Sequence, residues 1–204
     1  MSPDPDLDLI VPIVVHVSKT FADLKCILAI LENSPTLNDS LQSMTENEFL
    51  CLRACFVYKS MIGTCDDVSE INSLYDTGFA DRWHHIHNNY STDSIDSTND
   101  IKELDIAKNA ASTVEYDFQC LERVLSLVQN NSTLDDALKD MTYDEFACVS
   151  RCVRHYGNRY HLFGDYSTDY STVCREMYNI QDKIRLSWYW QHEQIRATPL
   201  FSNT

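Results

Sequence analysis

The chain has few of the residues that interrupt helices. It contains only 4 glycines and 5 prolines among 204 residues, which favours helices joined by short turns over many-stranded sheets. No segment approaches the ~18–20 apolar residues that a membrane-spanning helix requires. Hydrophobic residues make up 44% of the chain, which is enough for a packed core. We therefore expect an all-α protein without a membrane span.

Positive charge is also scarce. Lys and Arg number 16 against 31 Asp and Glu, so the formal net charge is −15. A negative field of this size repels nucleic acid and anionic membrane surfaces. We therefore expect neither of them as a partner.

Catalytic and cofactor motifs are missing. The sequence holds no G-x-S-x-G, no glycine-rich phosphate loop, no H-E-x-x-H and no C-x-x-C pair. One histidine cluster occurs at residues 83–87, where His84 and His87 share a helical face. No further metal ligand lies at a matching interval. We predict no enzymatic activity, no cofactor and no metal site.

The sequence repeats itself at an offset of 97 residues. Cys51 and Cys55 recur as Cys148 and Cys152, and residues 36–55 match residues 133–152 at ten of twenty positions. A polar segment, 88–100, separates the copies. The domain prediction is a first helical repeat at 1–90, a linker at 91–100 and a second helical repeat at 101–204.

Local signals place several helices. T-x-x-E capping boxes, Thr45 with Glu48 and Thr142 with Glu145, precede the C-x-x-x-C segments of the two repeats. Before each box a further threonine, Thr36 or Thr133, begins a short helix. Residues 9–17 are β-branched and ambiguous, and we favour a helix that begins near Pro12. Apolar spacing predicts a long final helix over residues 173–196.

The cysteine content favours disulfides and an oxidising compartment, and hence a secreted protein. The eight candidates are Cys26, Cys51, Cys55, Cys65, Cys120, Cys148, Cys152 and Cys174. The thiols of a C-x-x-x-C pair share a helical face, so we expect them to point at neighbouring helices and not at each other. The simplest scheme pairs Cys26 with Cys55 or Cys51, and Cys120 with Cys152 or Cys148. The remaining cysteine of each C-x-x-x-C pair then bonds to Cys65 in the first repeat and to Cys174 in the second, or Cys65 and Cys174 bond to each other. Sequons at Asn38, Asn89, Asn130 and Asn131 fit a secreted glycoprotein.

The cysteine spacing also resembles a known family. A helix cysteine, a spacer of about 25 residues and a C-x-x-x-C pair occur as Cys26 with Cys51 and Cys55, and again as Cys120 with Cys148 and Cys152. This pattern resembles the insect odorant-binding proteins, and its tandem arrangement is similar to the two-domain salivary relatives of that superfamily in blood-feeding flies. The resemblance implies Cys26–Cys55 and Cys120–Cys152 bonds, and a helical shell around an apolar ligand pocket.

Aromatic and arginine side chains are concentrated in the second repeat, where they suit an apolar pocket with positive charge at its mouth. The candidate ligand-binding residues are Arg154, His155, Tyr156, Arg159, Tyr160, Phe163, Trp188 and Trp190. We predict a secreted, non-enzymatic protein that sequesters a small lipid-like ligand, such as an eicosanoid, mainly in the second repeat. The alternative is a secreted effector that binds a host protein through helix faces. The first hypothesis requires an internal cavity, and the second an exposed apolar patch.

Overall fold

The computed structural model describes residues 4–76, 78–88, 97–163 and 170–197, without the side chains of 76, 80, 97–98, 158–163, 170–174 and 193–197. Every regular element in these residues is an α-helix, which confirms the predicted all-α class. The helices are α1 (Pro5–Thr20), α2 (Leu24–Asn33), α3 (Leu37–Ser43), α4 (Glu46–Ile62), α5 (Cys65–Asp76), α6 (Phe79–His87), α7 (Ser97–Asp117), α8 (Leu121–Asn130), α9 (Leu134–Lys139), α10 (Tyr143–Phe163) and α11 (Tyr170–Ala197). None of the helices in the described residues combines the length and apolar character needed to cross a bilayer.

The predicted capping threonines stand at the starts of four helices. At α4, Glu48 Oε2 accepts a hydrogen bond from the Thr45 amide at 2.7 Å, and the Thr45 hydroxyl accepts one from the Glu48 amide at 3.4 Å. The equivalent threonines at α3, α9 and α10 are Thr36, Thr133 and Thr142. Because these bonds join residues only three positions apart, the local sequence is sufficient to specify them.

Helix α1 begins earlier than predicted. The expectation of a start near Pro12 was wrong, because Pro5 already occupies the first helical position, where a missing N–H costs little. The Asp4 carboxylate accepts a hydrogen bond from the Asp6 amide at 3.0 Å just before this turn. The apolar residues at helical spacing are all buried: Leu7, Ile10, Ile13, Val14 and Val17. This packing outweighs the strand preference of the β-branched residues.

The predicted linker is shorter than its polar composition suggests. Helix α7 begins at Ser97, so residues 97–100 are helical, and Asp100 is only 3% exposed. Asp100 is buried because it binds groups on other helices, as described below. Residues 91–96 of the predicted linker lie outside the described residues.

The chain divides into two compact units that do not coincide with the sequence repeats. Unit I is Thr20–Asp117, and unit II combines Met1–Lys19 with Phe118–Thr204. Helix α7 therefore packs in unit I, against α2, α3 and α4. Helix α1 belongs to unit II, where α10 and α11 pack on each other. Each unit thus contains the first helix of the other repeat.

Candidate functional site

The predicted ligand-binding residues lie on α10 and α11 in different environments. His155 is buried and Arg154 is exposed. Trp188 is buried, whereas Trp190 is 66% exposed, because residues two positions apart on a helix point about 200° away from each other. Tyr156 packs edge-on against His16 in unit II, with ring centroids 5.4 Å apart. The side chains of Arg159, Tyr160 and Phe163 lie outside the described residues, so a small-molecule pocket formed by this set stays a prediction.

Helix α11 has one buried and one exposed apolar side. The buried side comprises Met177, Ile180, Ile184 and Trp188. The exposed side, which we call the α11 face, comprises Tyr178, Leu186, Tyr189 and Trp190. At 3.6 residues per turn these four positions fall within about 120° of the helix circumference. A helix needs only its buried side for the core, so the α11 face is available for another contact.

A stack of three rings holds α11 against α10 in unit II. The ring centroid of Phe146 lies 4.6 Å from that of Trp188, with an angle of 17° between the planes. His192 stacks on the same indole at 4.0 Å. Trp188 and His192 are four residues apart, so both rings lie on the same side of α11. Trp188, which the sequence suggested as part of a pocket wall, thus packs between two neighbouring rings.

Unit I contains an equivalent stack. Phe49, at the position that repeats as Phe146, lies 5.1 Å from Trp83, and His87 lies 4.3 Å from the same indole. His87 also places Nε2 3.1 Å from the backbone oxygen of Leu41. Among the described side chains, no group of three His, Cys, Asp or Glu is placed to hold a metal ion. These stacks were not predicted from the sequence, although a W-x-x-x-H pattern recurs at 83–87 and 188–192 and is the signal for them.

A buried guanidinium lies beside the unit I stack. Arg82, only 7% exposed, donates from Nη2 to Asp100 Oδ1 at 2.6 Å and to Asn38 Oδ1 at 2.7 Å. Its Nη1 forms an ion pair with Glu103. Asp100 Oδ1 also accepts a hydrogen bond from the Asn38 amide at 3.2 Å, which ties α7 to the start of α3. Two carboxylates and one amide oxygen therefore surround a single cation.

Unit II has a groove at the start of its corresponding short helix. The groove has a volume of about 300 Å³ and is lined by Asp4, Asp6, Leu134, Asp135, Lys183, Leu186 and Ser187. Asp4 Oδ2 accepts a hydrogen bond from the Leu134 amide at 2.8 Å. It thereby ties α1 to the start of α9, as Asp100 ties α7 to α3 in unit I. Leu186, which also belongs to the α11 face, connects that face to the groove.

The two sites differ at two corresponding positions. Asn38 repeats as Asp135, 97 residues later, and Arg82 and Ser187 each precede the tryptophan of the W-x-x-x-H pattern. Ser187 donates a hydrogen bond to Asp135, and Arg82 donates two to Asn38. The serine side chain is much shorter than that of arginine. Unit I therefore carries its own guanidinium at this place, whereas unit II has a groove.

The groove is negatively charged. Its three aspartates and one lysine give a formal charge of −2. Burial disfavours the charge on Asp4, but hydrogen bonds from the Leu134, Asp6 and Leu7 amides and the charge of Lys183 outweigh it, so the pKa of Asp4 is lowered. Lys183 lies 2.7 Å from Asp6. Because Asp4 stays ionised at neutral pH, the groove presents acceptors for a cation.

No disulfide bond joins the cysteines whose side chains the structure describes. The seven whose side chains are described are free thiols, and Cys174 lies outside that set. The expectation that the thiols of each C-x-x-x-C pair point at neighbouring helices stays a prediction. One helical turn separates such a pair, and both side chains lean along the helix axis. Burial and the neighbouring thiol raise the pKa of Cys55 and of Cys152 well above the usual value.

Thiol labelling checks this arrangement. In the native, non-reduced protein, N-ethylmaleimide is expected to modify the exposed Cys26 and Cys65 quickly. The buried residues are expected to react only after denaturation, because the thiolate is the reactive form and burial disfavours it: Cys51, Cys55, Cys148 and Cys152. Peptide mass spectrometry locates the labels. A Cys26 that reacts only after reduction would contradict the structure and support the predicted disulfide framework.

Comparisons of the chain with family models, characterised proteins and solved structures give no match. The resemblance to odorant-binding proteins therefore stays a prediction based on cysteine spacing. Within the chain, the two repeats allow one unit to be compared with the other.

Proposed function

We propose that this chain is a non-enzymatic interaction protein that binds a partner protein through the α11 face. The observation that carries the proposal is the exposure of Leu186 and Trp190, at 64% and 66%, on a helix that already buries its opposite side. Tyrosine and tryptophan are enriched at protein interfaces, because they offer large contact areas with a polar tip. Exposed large side chains on one side of one helix favour a docking surface.

The surroundings of this face also suit a protein partner. The groove opens beside Leu186, so an apolar contact and a polar pocket lie side by side on unit II. Hot spots at interfaces combine these two features, an aromatic or aliphatic anchor next to a specific polar contact. The net charge of −15 favours a cationic partner over an anionic one, by long-range attraction.

The narrower expectations from the sequence stay predictions. They are secretion, glycosylation, disulfide-stapled repeats and sequestration of a lipid-like ligand in the second repeat. The lipid hypothesis differs from our proposal in a measurable way, because it does not require the α11 face. Native mass spectrometry after incubation with fatty acids or eicosanoids tests it separately.

Peptide selection tests the α11 face. Random peptides displayed on phage are selected against the full chain and then measured against the double variant Leu186→Asp, Trp190→Asp. We expect affinity to fall at least ~30-fold, because loss of an interface hot spot costs about 2 kcal/mol or more. Both side chains are exposed, so the double variant should fold like the wild type, which circular dichroism verifies.

The matched control is Ile101→Asp, which changes an exposed apolar residue of unit I. Selected peptides should bind this variant as they bind the wild type. The proposal fails if no peptide is selected, or if the selected peptides bind the double variant as tightly as the wild type. A lipid that stays bound to the double variant would favour the small-ligand hypothesis instead.

A further inference from the structure

We propose that the groove of unit II binds the guanidinium of an arginine side chain supplied by the partner protein. The inference rests on the proposed function and adds the chemistry of the partner. It follows from the comparison of the two units, since unit I holds an arginine of its own at the corresponding place. The partner would supply the group that Ser187 does not.

The site in unit I shows what such a place accepts. There the Arg82 guanidinium meets the carboxylates of Asp100 and Glu103 and the amide oxygen of Asn38. Asp100 at the same time accepts a backbone N–H at the start of the neighbouring short helix. A carboxylate on α7, the helix that unit I contains from the second repeat, and an oxygen on the short helix α3 thus hold one planar cation with several donors.

The groove in unit II supplies the same kinds of acceptor. Asp4, which directly precedes α1, accepts a hydrogen bond from the start of α9, and Asp135 stands where unit I has Asn38. The amide oxygen of unit I is thus replaced by a carboxylate, which makes the place more attractive to a cation. Lys183, whose side chain is 58% exposed, forms an ion pair with Asp6, so the groove contains three carboxylates and only one ammonium.

The position of the groove also indicates what stands next to the arginine. Leu186 belongs both to the groove and to the α11 face, and Trp190 lies one helical turn further along. A partner segment whose arginine enters the groove would therefore place a neighbouring side chain on the α11 face. We infer a partner motif that combines arginine with an adjacent large apolar residue.

The test uses N-acetyl-arginine amide as the probe, with the lysine and citrulline analogues for comparison. NMR titration of the full chain at millimolar probe concentrations should shift the amide signals of Leu134, Asp135 and Ser187. We expect the arginine probe to bind at least ~5-fold more tightly than the lysine probe, because guanidinium matches carboxylates in a bidentate manner. The neutral citrulline probe should not bind.

Ser187→Arg provides the decisive variant. An arginine at this position copies Arg82 and should fill the groove, so binding of the probe should fall at least ~10-fold. Ser112→Arg, at an exposed serine of α7, adds the same charge elsewhere and should leave binding unchanged. Asp135→Asn, which restores the amide type found in unit I, should weaken binding ~3–10-fold and serves if Ser187→Arg does not fold.

The outcomes separate this inference from the proposed function. The inference is overturned if the arginine probe binds the wild type no better than citrulline does. It is also overturned if the arginine probe binds the Ser187→Arg and Asp135→Asn variants as tightly as it binds the wild type. If selected peptides nevertheless lose affinity for the α11 face variant, the proposed function stands without the arginine site. If the probe binds and no peptide depends on the α11 face, the groove is a guanidinium site and the proposed function fails.

Discussion

Replacing Arg82 with methionine should destabilise unit I by about 3–5 kcal/mol, which is the usual effect of breaking a buried ion pair. The substitution leaves the buried carboxylates of Asp100 and Glu103 without the guanidinium that faces them. It also removes both hydrogen bonds from Arg82 to Asn38, which connect α6 to α3. Urea denaturation followed by circular dichroism gives the change in the free energy of unfolding.

An exposed ion pair provides the control for this prediction. Arg185 pairs with Asp182 on α11, and both side chains are largely exposed. Arg185→Met should therefore change stability by no more than ~1 kcal/mol, as expected for a solvated pair. Adding Asp100→Asn to the Arg82→Met variant should recover part of the loss, since it removes one buried charge. Equal stability of the two methionine variants would contradict the importance of the buried cation.

The helices could be predicted where the deciding contacts are local. Thr45 and Thr142 mark helix starts because their partners lie three residues away in the sequence. The linker was predicted less well for the opposite reason. Asp100 looks like a turn residue in a polar segment, but its hydrogen bonds reach Asn38, 62 residues away. No local pattern reports a contact across that distance.

The candidate site shows the same limit. The sequence indicated that Trp188 and Trp190 matter, because aromatic residues are concentrated in this region. It did not indicate that one is buried in a ring stack and the other exposed, which depends on where α10 packs. The groove was missed because its lining comes from α1, α9 and α11, three segments far apart in the chain.

The internal repeat contained more information than we drew from it. Aligning the repeats by their cysteines identified Asn38 and Asp135 as equivalent positions. Aligning them by W-x-x-x-H would also have paired Arg82 with Ser187, and so exposed the difference on which the arginine inference rests. The exchange of α1 and α7 between the units could not be seen, because it leaves the order of helices along the chain unchanged.

Replacing Trp188 with alanine should destabilise unit II by about 3–5 kcal/mol, the usual cost of removing a large buried aromatic side chain. The variant loses the indole ring on which Phe146 and His192 both stack. Trp188→Phe should cost much less. It keeps a ring in the stack and removes an indole N–H that has no hydrogen-bond acceptor among the described residues.

Trp190→Ala is the matched control, because it also removes a tryptophan side chain, but from an exposed position two residues further along. It should change the free energy of unfolding by no more than ~0.5 kcal/mol. The pair of variants also separates stability from binding. Trp190→Ala should weaken the binding of selected peptides while the protein stays folded. Trp188→Ala should act mainly by lowering the free energy of unfolding. If Trp188→Ala is as stable as Trp190→Ala, the ring stack does not hold α11 in place, and the orientation of the α11 face loses its structural basis.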